Sequence, residues 1–204
     1  MNSKYRLVLF DLDGVIIDSK RNMELSWLAV QTVFELNVPF ENYFRLIGRP
    51  FNDIMAELDL NALADRIKRV YDVSSSSRID LIDFYDNCPE VIKKIKEMGF
   101  RIGIVTSKDE NRTLEILKKL DILFDVVECP DGKSRGKPNP DPLFRAILKC
   151  QRDPSETVYV GDMDVDMECA KRAGIGYIHA GWGYGDCESE AAKALKPDDI
   201  LKLI

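Results

Sequence analysis

The chain has 204 residues, 45% hydrophobic and 31% charged, which is enough for one well-buried core plus an insertion or a small second domain. Its formal net charge of −6 argues against nucleic acid or an anionic membrane as the main partner, since both are recognised through a basic footprint. The N-terminus carries no signal-peptide apolar core and no apolar run approaches the roughly 18 residues of a membrane span; with Cys88, Cys129, Cys150, Cys169 and Cys187 at no short paired spacing, a reduced, cytoplasmic chain without a zinc knuckle or disulfide framework is expected.

In chain order, short apolar runs predict strands over 6–10, 100–105, 124–127, 157–160 and 176–179. Helical spacing of apolar residues predicts helices over 20–36, 52–58, 62–71, 89–98, 109–120, 141–149 and 165–173, with Asp109 as an N-cap and with Gly99 and Gly174 just past two helix ends. Strands alternating with helices give a doubly wound parallel α/β sheet. About ninety residues separate the first strand from the second, where a parallel crossover needs only a dozen or so. A helical insertion over 17–84, set into a core made of 1–16 and 85–204, accounts for the excess. No strand pattern intrudes there, and the run Ser74-Ser75-Ser76-Ser77 reads as a break or hinge-adjacent loop.

Polar clusters stand at the carboxyl ends of these strands, where open parallel sheets place their ligand sites. Asp11 and Asp13 follow the first strand two residues apart, and so share a side. Like charges at about 4 Å cost about 4 kcal/mol at an effective dielectric near 20, and a divalent cation relieves that. The plainer alternative is a pair of turn-capping aspartates. Gly14 removes a side chain where a ligand could approach the backbone. Thr106 and Ser107 end the second strand, as anion ligands or as an N-cap pair. Lys137 sits in a Gly/Pro-rich loop, as a fixed positive charge or a solvated lysine. Gly161-Asp162-Met163-Asp164-Val165-Asp166 brings three more acids to a helix start, more than capping alone explains. Asp164 is read as the capping acid, and the single histidine, His179, as a packing residue.

The order Asp-x-Asp, Thr, Lys, Gly-Asp-x-x-x-Asp resembles the haloacid dehalogenase-like hydrolase superfamily. Phe10-Asp11-Leu12-Asp13-Gly14-Val15, Val105-Thr106-Ser107-Lys108, Gly136-Lys137-Pro138, Val160-Gly161-Asp162 and Gly181-Trp182-Gly183-Tyr184-Gly185 are most similar to its phosphoglycolate phosphatase-like branch, which carries a helical cap after the first motif. The resemblance implies Asp11 as nucleophile forming an aspartyl-phosphate, Asp13 as general acid and then base, Thr106 with the Ser107 N–H on a phosphoryl oxygen, and Lys137 neutralising charge. It implies a magnesium site of Asp11, the Asp13 carbonyl and Asp162, with Asp166 orienting metal-bound water or Lys137. The partner is then a small phosphorylated metabolite, contacted from the cap by Arg49 first and Arg45 second; both are equally well read as surface arginines. A phosphomutase of the same superfamily, and a receiver-like phosphate-accepting signalling module, are the competing readings.

Overall fold

Leu7–Phe10 (β1) is apolar at every position and fully buried, as a strand covered on both faces must be. The computed structural model describes residues 3–186 and 191–204; Cys187 lies outside the described residues. After β1 the chain turns tightly, the Leu12 carbonyl accepting from the Ile16 and Ile17 amides, into a two-residue strand Ile17–Asp18 (β2). Four helices follow: Lys20–Phe34 (α1), Phe40–Phe44 (α2), Phe51–Glu57 (α3) and Ala64–Ser76 (α4). Asp83–Phe84 (β3) then pairs antiparallel with β2. The chain thus leaves the core and re-enters it side by side.

The remainder alternates as the sequence predicts through Cys88–Glu97 (α5), Arg101–Val105 (β4), Glu110–Leu117 (α6), Val126–Glu128 (β5), Asp141–Lys149 (α7), Thr157–Gly161 (β6), Asp164–Ala173 (α8) and Gly176–Ala180 (β7), and the short Ala192–Ala194 (β8) and Ile200–Leu203 (α9), which it does not predict, follow. The sheet order is β5-β4-β1-β6-β7-β8, with every neighbouring pair parallel. From β1 the chain runs outward through β4 and β5, then crosses to β6 on the other side. That reversal puts a crevice at the carboxyl end of β1, where Asp11 stands.

Alternating strand residues divide the core. Val8, Phe10, Ile102, Ile104, Val158 and Val160 pack on one face with Val91, Ile92 and Ile95 of α5. Leu7, Leu9 and Tyr159 pack on the other with Leu143 and Ala146 of α7 and Cys169 and Ala170 of α8. A third cluster belongs to the inserted helices, around Trp27, Val30, Tyr43, Met55, Ile67 and Tyr71. Its centre is Trp27 stacked on Tyr43 with ring centroids 4.5 Å apart.

Two expectations need correction. The serine run is no loop, because α4 continues through Ser76. Ser75 Oγ donates to Asn22 Oδ1 at 2.6 Å, and Asn22 Nδ2 donates to the Ser75 and Arg78 carbonyls at 2.9 and 2.8 Å. These bonds lock α4 to α1 where side-chain propensity alone favours a break. The insertion is also not purely helical, since β2 and β3 bound it. Gly174 closes α8 at φ 68° as expected. The described cysteines, Cys88, Cys129, Cys150 and Cys169, are free. Among the described residues no helix is long and apolar enough to cross a membrane.

Candidate active site

β1 and β6 run in register, with Phe10 opposite Val160, and the Asp11 amide donates to the Val160 carbonyl at 2.9 Å. The residues just past each strand therefore lie side by side. Asp11, Asp162 and Asp166 bring one carboxylate oxygen each within 4.8 Å of one another, all buried. Lys137, 1% exposed, enters from the loop before α7. Its ammonium donates to Asp11 Oδ1 at 2.9 Å, Asp166 Oδ1 at 2.7 Å and Tyr159 Oη at 3.1 Å. Of the two readings that the sequence leaves open for Lys137, the fixed positive charge is the one observed, as counter-ion of a buried acidic cluster.

The three acids are held differently. Asp166 is spent: besides Lys137, its Oδ1 accepts from Tyr159 Oη at 3.1 Å, and its Oδ2 accepts from the Met163 amide at 3.1 Å and the Asp162 amide at 3.3 Å. It caps α8, the role expected of Asp164, which instead is the first residue of that helix. Asp162 is fully buried, its Oδ2 accepting from the Tyr184 amide at 2.7 Å, while its Oδ1 has no hydrogen-bond partner among the described residues. An unpaired carboxylate oxygen in the interior is costly. A cation between Asp162 and Asp11 supplies what that atom lacks, so the donor set fits a divalent metal. The carboxylate of Asp13 stands apart from this set. Its Oδ1 meets Lys108 Nζ at 3.0 Å and accepts from Ser19 Oγ at 2.5 Å.

Burial pushes the Asp11 carboxyl up to about 7, against the pull of Lys137, with Asp166 and Asp13 adding to the rise. Burial, Asp166 and Asp11 together raise Asp162 well above the carboxylate range. For Lys137, burial works against the charge, but Asp11 and Asp166 outweigh it and hold the ammonium above its ordinary value.

Above the cluster lies a cavity of about 630 Å³ between the carboxyl ends of the strands and the inserted helices, with Asp11, Asp13, Thr106, Ser107, Lys137 and Arg49 in its wall. Thr106 is fixed by its amide, donating to the Glu128 carbonyl at 3.0 Å, and its Oγ1 accepts from the Lys108 amide at 3.1 Å. Ser107 Oγ donates across the cavity to the Gly48 carbonyl at 2.6 Å. Arg112 of α6 spans the same gap, pairing with Asp109 beside it and with Asp72 of α4 at 2.9 Å. Arg45 is exposed and outside the cavity wall. Gly14 is not in that wall either: at φ +85° any Cβ would strike Asp162 Oδ2 and lie 2.8 Å from the Tyr184 ring. Its small size serves the packing of Asp162.

Sequence reasoning missed Lys108, Ser19, Tyr159 and Tyr184. Tyr184 had a signal in its flanking glycines. A Cβ at Gly183 would strike Asp162, and one at Gly185 would lie 2.5 Å from the Asp162 carbonyl oxygen, so only a glycine-rich turn brings the Tyr184 amide onto that carboxylate.

A doubly wound sheet whose strand ends gather paired aspartates, a threonine and a buried lysine over a cation-ready carboxylate defines a phosphoryl-transfer enzyme. The sequence pattern of the haloacid dehalogenase-like hydrolases matches residues 8–180. The chain is 30% identical over 203 residues to Pyrophosphatase PpaX of Bacillus mycoides, covering 97% of this chain and 93% of that one. Its fold superposes on a provisionally named phosphoglycolate phosphatase of Lactobacillus plantarum with TM-score 0.90 at 23% identity, over 98% and 99% of the two chains. It also superposes on a haloacid dehalogenase-like hydrolase of Streptococcus pneumoniae with TM-score 0.85 at 19% identity, over 98% of each chain. The chain belongs to the haloacid dehalogenase-like hydrolase family and is a phosphatase of that family. The receiver-module reading falls with this membership.

Proposed function

We propose that the chain is a magnesium-dependent phosphatase that hydrolyses a small phosphate monoester through an aspartyl-phosphate on Asp11, with residues 17–84 acting as a cap over a core of 1–16 and 85–204. The observation that carries this reading is the buried Asp11–Lys137–Asp166 chain beside the unpartnered Asp162 Oδ1. Asp11 attacks phosphorus, and the bond to the leaving oxygen breaks as Asp13 delivers a proton to it. Asp13 then takes a proton from water, whose oxygen displaces Asp11 from phosphorus. Thr106 and the Ser107 amide hold phosphoryl oxygens, and Lys137 keeps Asp11 oriented and neutralises charge on the group in flight. Asp11, Asp162 and the Asp13 carbonyl hold magnesium, with Asp166 orienting Lys137. When bound, the metal offsets the charge between nucleophile and phosphate. The cavity of about 630 Å³ beneath the inserted helices suits a small phosphorylated metabolite.

Pyrophosphate is the second reading, favoured by the Bacillus mycoides relative. A screen of phosphoglycolate, sugar phosphates, nucleoside monophosphates and pyrophosphate with magnesium decides between ester and anhydride by kcat/KM. Sustained phosphate release also separates hydrolysis from a phosphomutase, which returns a phosphorylated isomer.

Chelator is expected to silence phosphate release and magnesium to restore it. The pH dependence of binding follows from the raised carboxyls, because protons on Asp11 and Asp162 compete with the cation. Below about 7, where Asp11 holds its proton, apparent magnesium affinity should rise by about tenfold per pH unit, and the raised Asp162 carboxyl adds to the dependence. Calorimetry at pH 6 and 8 in buffers of different ionisation enthalpy should show proton release; equal affinity with none contradicts the assigned ligands. For Arg49→Ala, KM for an anionic ester should rise about tenfold, with turnover of p-nitrophenyl phosphate little changed. Equal loss of turnover on both substrates would place Arg49 in the core chemistry or the folding.

A further inference from the structure

Asp13 is gripped from two separate segments of the chain, and both grips fall on the same oxygen. Lys108 Nζ lies 3.0 Å from Oδ1. It comes from the core loop after β4, two residues past Thr106, and its side chain is only 7% exposed in the cavity wall. Ser19 Oγ donates to Oδ1 at 2.5 Å from the linker between β2 and α1, where the Ser19 amide is itself tied to Tyr184 Oη at 2.7 Å. Paired with the Lys108 ammonium and accepting from Ser19 Oγ, Oδ1 is held as the anionic oxygen, so any proton Asp13 carries resides on Oδ2.

We propose that Lys108 is a positioning residue which, with Ser19, anchors Oδ1 of Asp13 and so fixes Oδ2 as the oxygen that gives and takes the proton at the leaving group. This rests on Asp13 being the acid and base proposed above. In the first half-reaction the Asp11–phosphorus bond forms, the phosphorus–leaving-oxygen bond breaks, and the Oδ2 proton goes to the leaving oxygen. In the second, water oxygen bonds phosphorus, its proton returns to Oδ2, and Asp11 departs. Without Lys108 the carboxyl pivots on one hydrogen bond, and both proton transfers lose their geometry. Attack by Asp11 on an ester whose leaving group needs no proton keeps its rate.

The test is first-turnover chemistry by rapid quench with p-nitrophenyl phosphate and with ethyl phosphate, magnesium present, for wild type, Lys108→Met, Lys108→Arg, Ser19→Ala and Asp13→Asn. General acid catalysis is worth about 10²-fold or more. Lys108→Met should lose about that much on ethyl phosphate and less than about threefold on the first release of p-nitrophenol, with hydrolysis of the intermediate slowed as for ethyl phosphate. Lys108→Arg, which keeps the cation, should recover part of the ethyl phosphate rate, and Ser19→Ala should show the same ester dependence more weakly. These two variants carry the test if Lys108→Met does not fold. Equal losses on both esters with a raised KM would mean that Lys108 touches substrate, and no loss would mean that it positions nothing; either overturns the proposal. If Asp13→Asn shows the ester dependence and the Lys108 variants do not, the proposal fails while the role of Asp13 stands. If Asp13→Asn lacks it too, Asp13 is not the acid and the proposal falls with that reading.

Discussion

Asp11→Asn should lower turnover by about 10⁴-fold or more while the protein stays folded. The amide keeps the shape of the side chain and can still meet Lys137, but it has no anionic oxygen to bond phosphorus, and no other side chain in the cavity wall stands in its place at the end of β1. A loss of 10⁴ corresponds to about 5.5 kcal/mol of transition-state stabilisation, far above the effect of one misplaced hydrogen bond. Folding should survive because the cost of burying Asp11 as an ion is already high, which is why its carboxyl is raised to about 7. Circular dichroism and a thermal midpoint near wild type, alongside absent turnover, are the expected pair of results. A loss of only tenfold would show that water reaches phosphorus without Asp11.

Lys137→Met should damage both activity and stability, and the stability loss should depend on pH. Removing one partner of a buried ion pair costs about 3–5 kcal/mol because the remaining charge is stranded. Here Lys137 is the shared counter-ion of Asp11 and Asp166. With the ammonium gone, the pull that lowers the Asp11 carboxyl disappears, so its folded value moves further above the unfolded one. A group raised in the folded state destabilises progressively as pH climbs from its unfolded value toward its folded one. In metal-free protein the deficit should therefore be small near pH 5 and large near pH 8. Denaturant unfolding at the two pH values measures it, and a deficit independent of pH would mean that Lys137 acts through packing alone.

The sheet was legible because its strands are short apolar runs and its crossover helices carry capped amphipathic patterns; α7 falls over 141–149 as expected. The insertion was legible as an excess of length. The two-residue strands β2 and β3 were not, since a pairing that short leaves no periodicity and rests on the geometry of the crossing chains. The serine run misled because the bonds that keep it helical come from Asn22, 53 positions away. At the site, Asp11, Thr106, Lys137 and Asp162 were readable from strand ends. The contact of Asp166 with Lys137 was one of the two roles that the family resemblance offered, but its bonds to two amides and to Tyr159 were not legible, because adjacent acids look alike until the helix start orients them. Lys108 was hidden by its type, for nothing in a sequence separates a solvated lysine from one buried against Asp13.

The central claim is the covalent bond between Asp11 and phosphorus. Asp13→Ala should still accept phosphate from an activated ester, whose leaving group needs no proton, and then stall because no base activates water. Rapid-quench mass spectrometry of that variant with p-nitrophenyl phosphate and magnesium tests this most directly. Phosphate on the peptide carrying Asp11, and its absence when Asp11→Asn is added, is the predicted result; no phosphorylated residue in the variant, while wild type turns the ester over, would contradict it and leave direct attack by water as the mechanism.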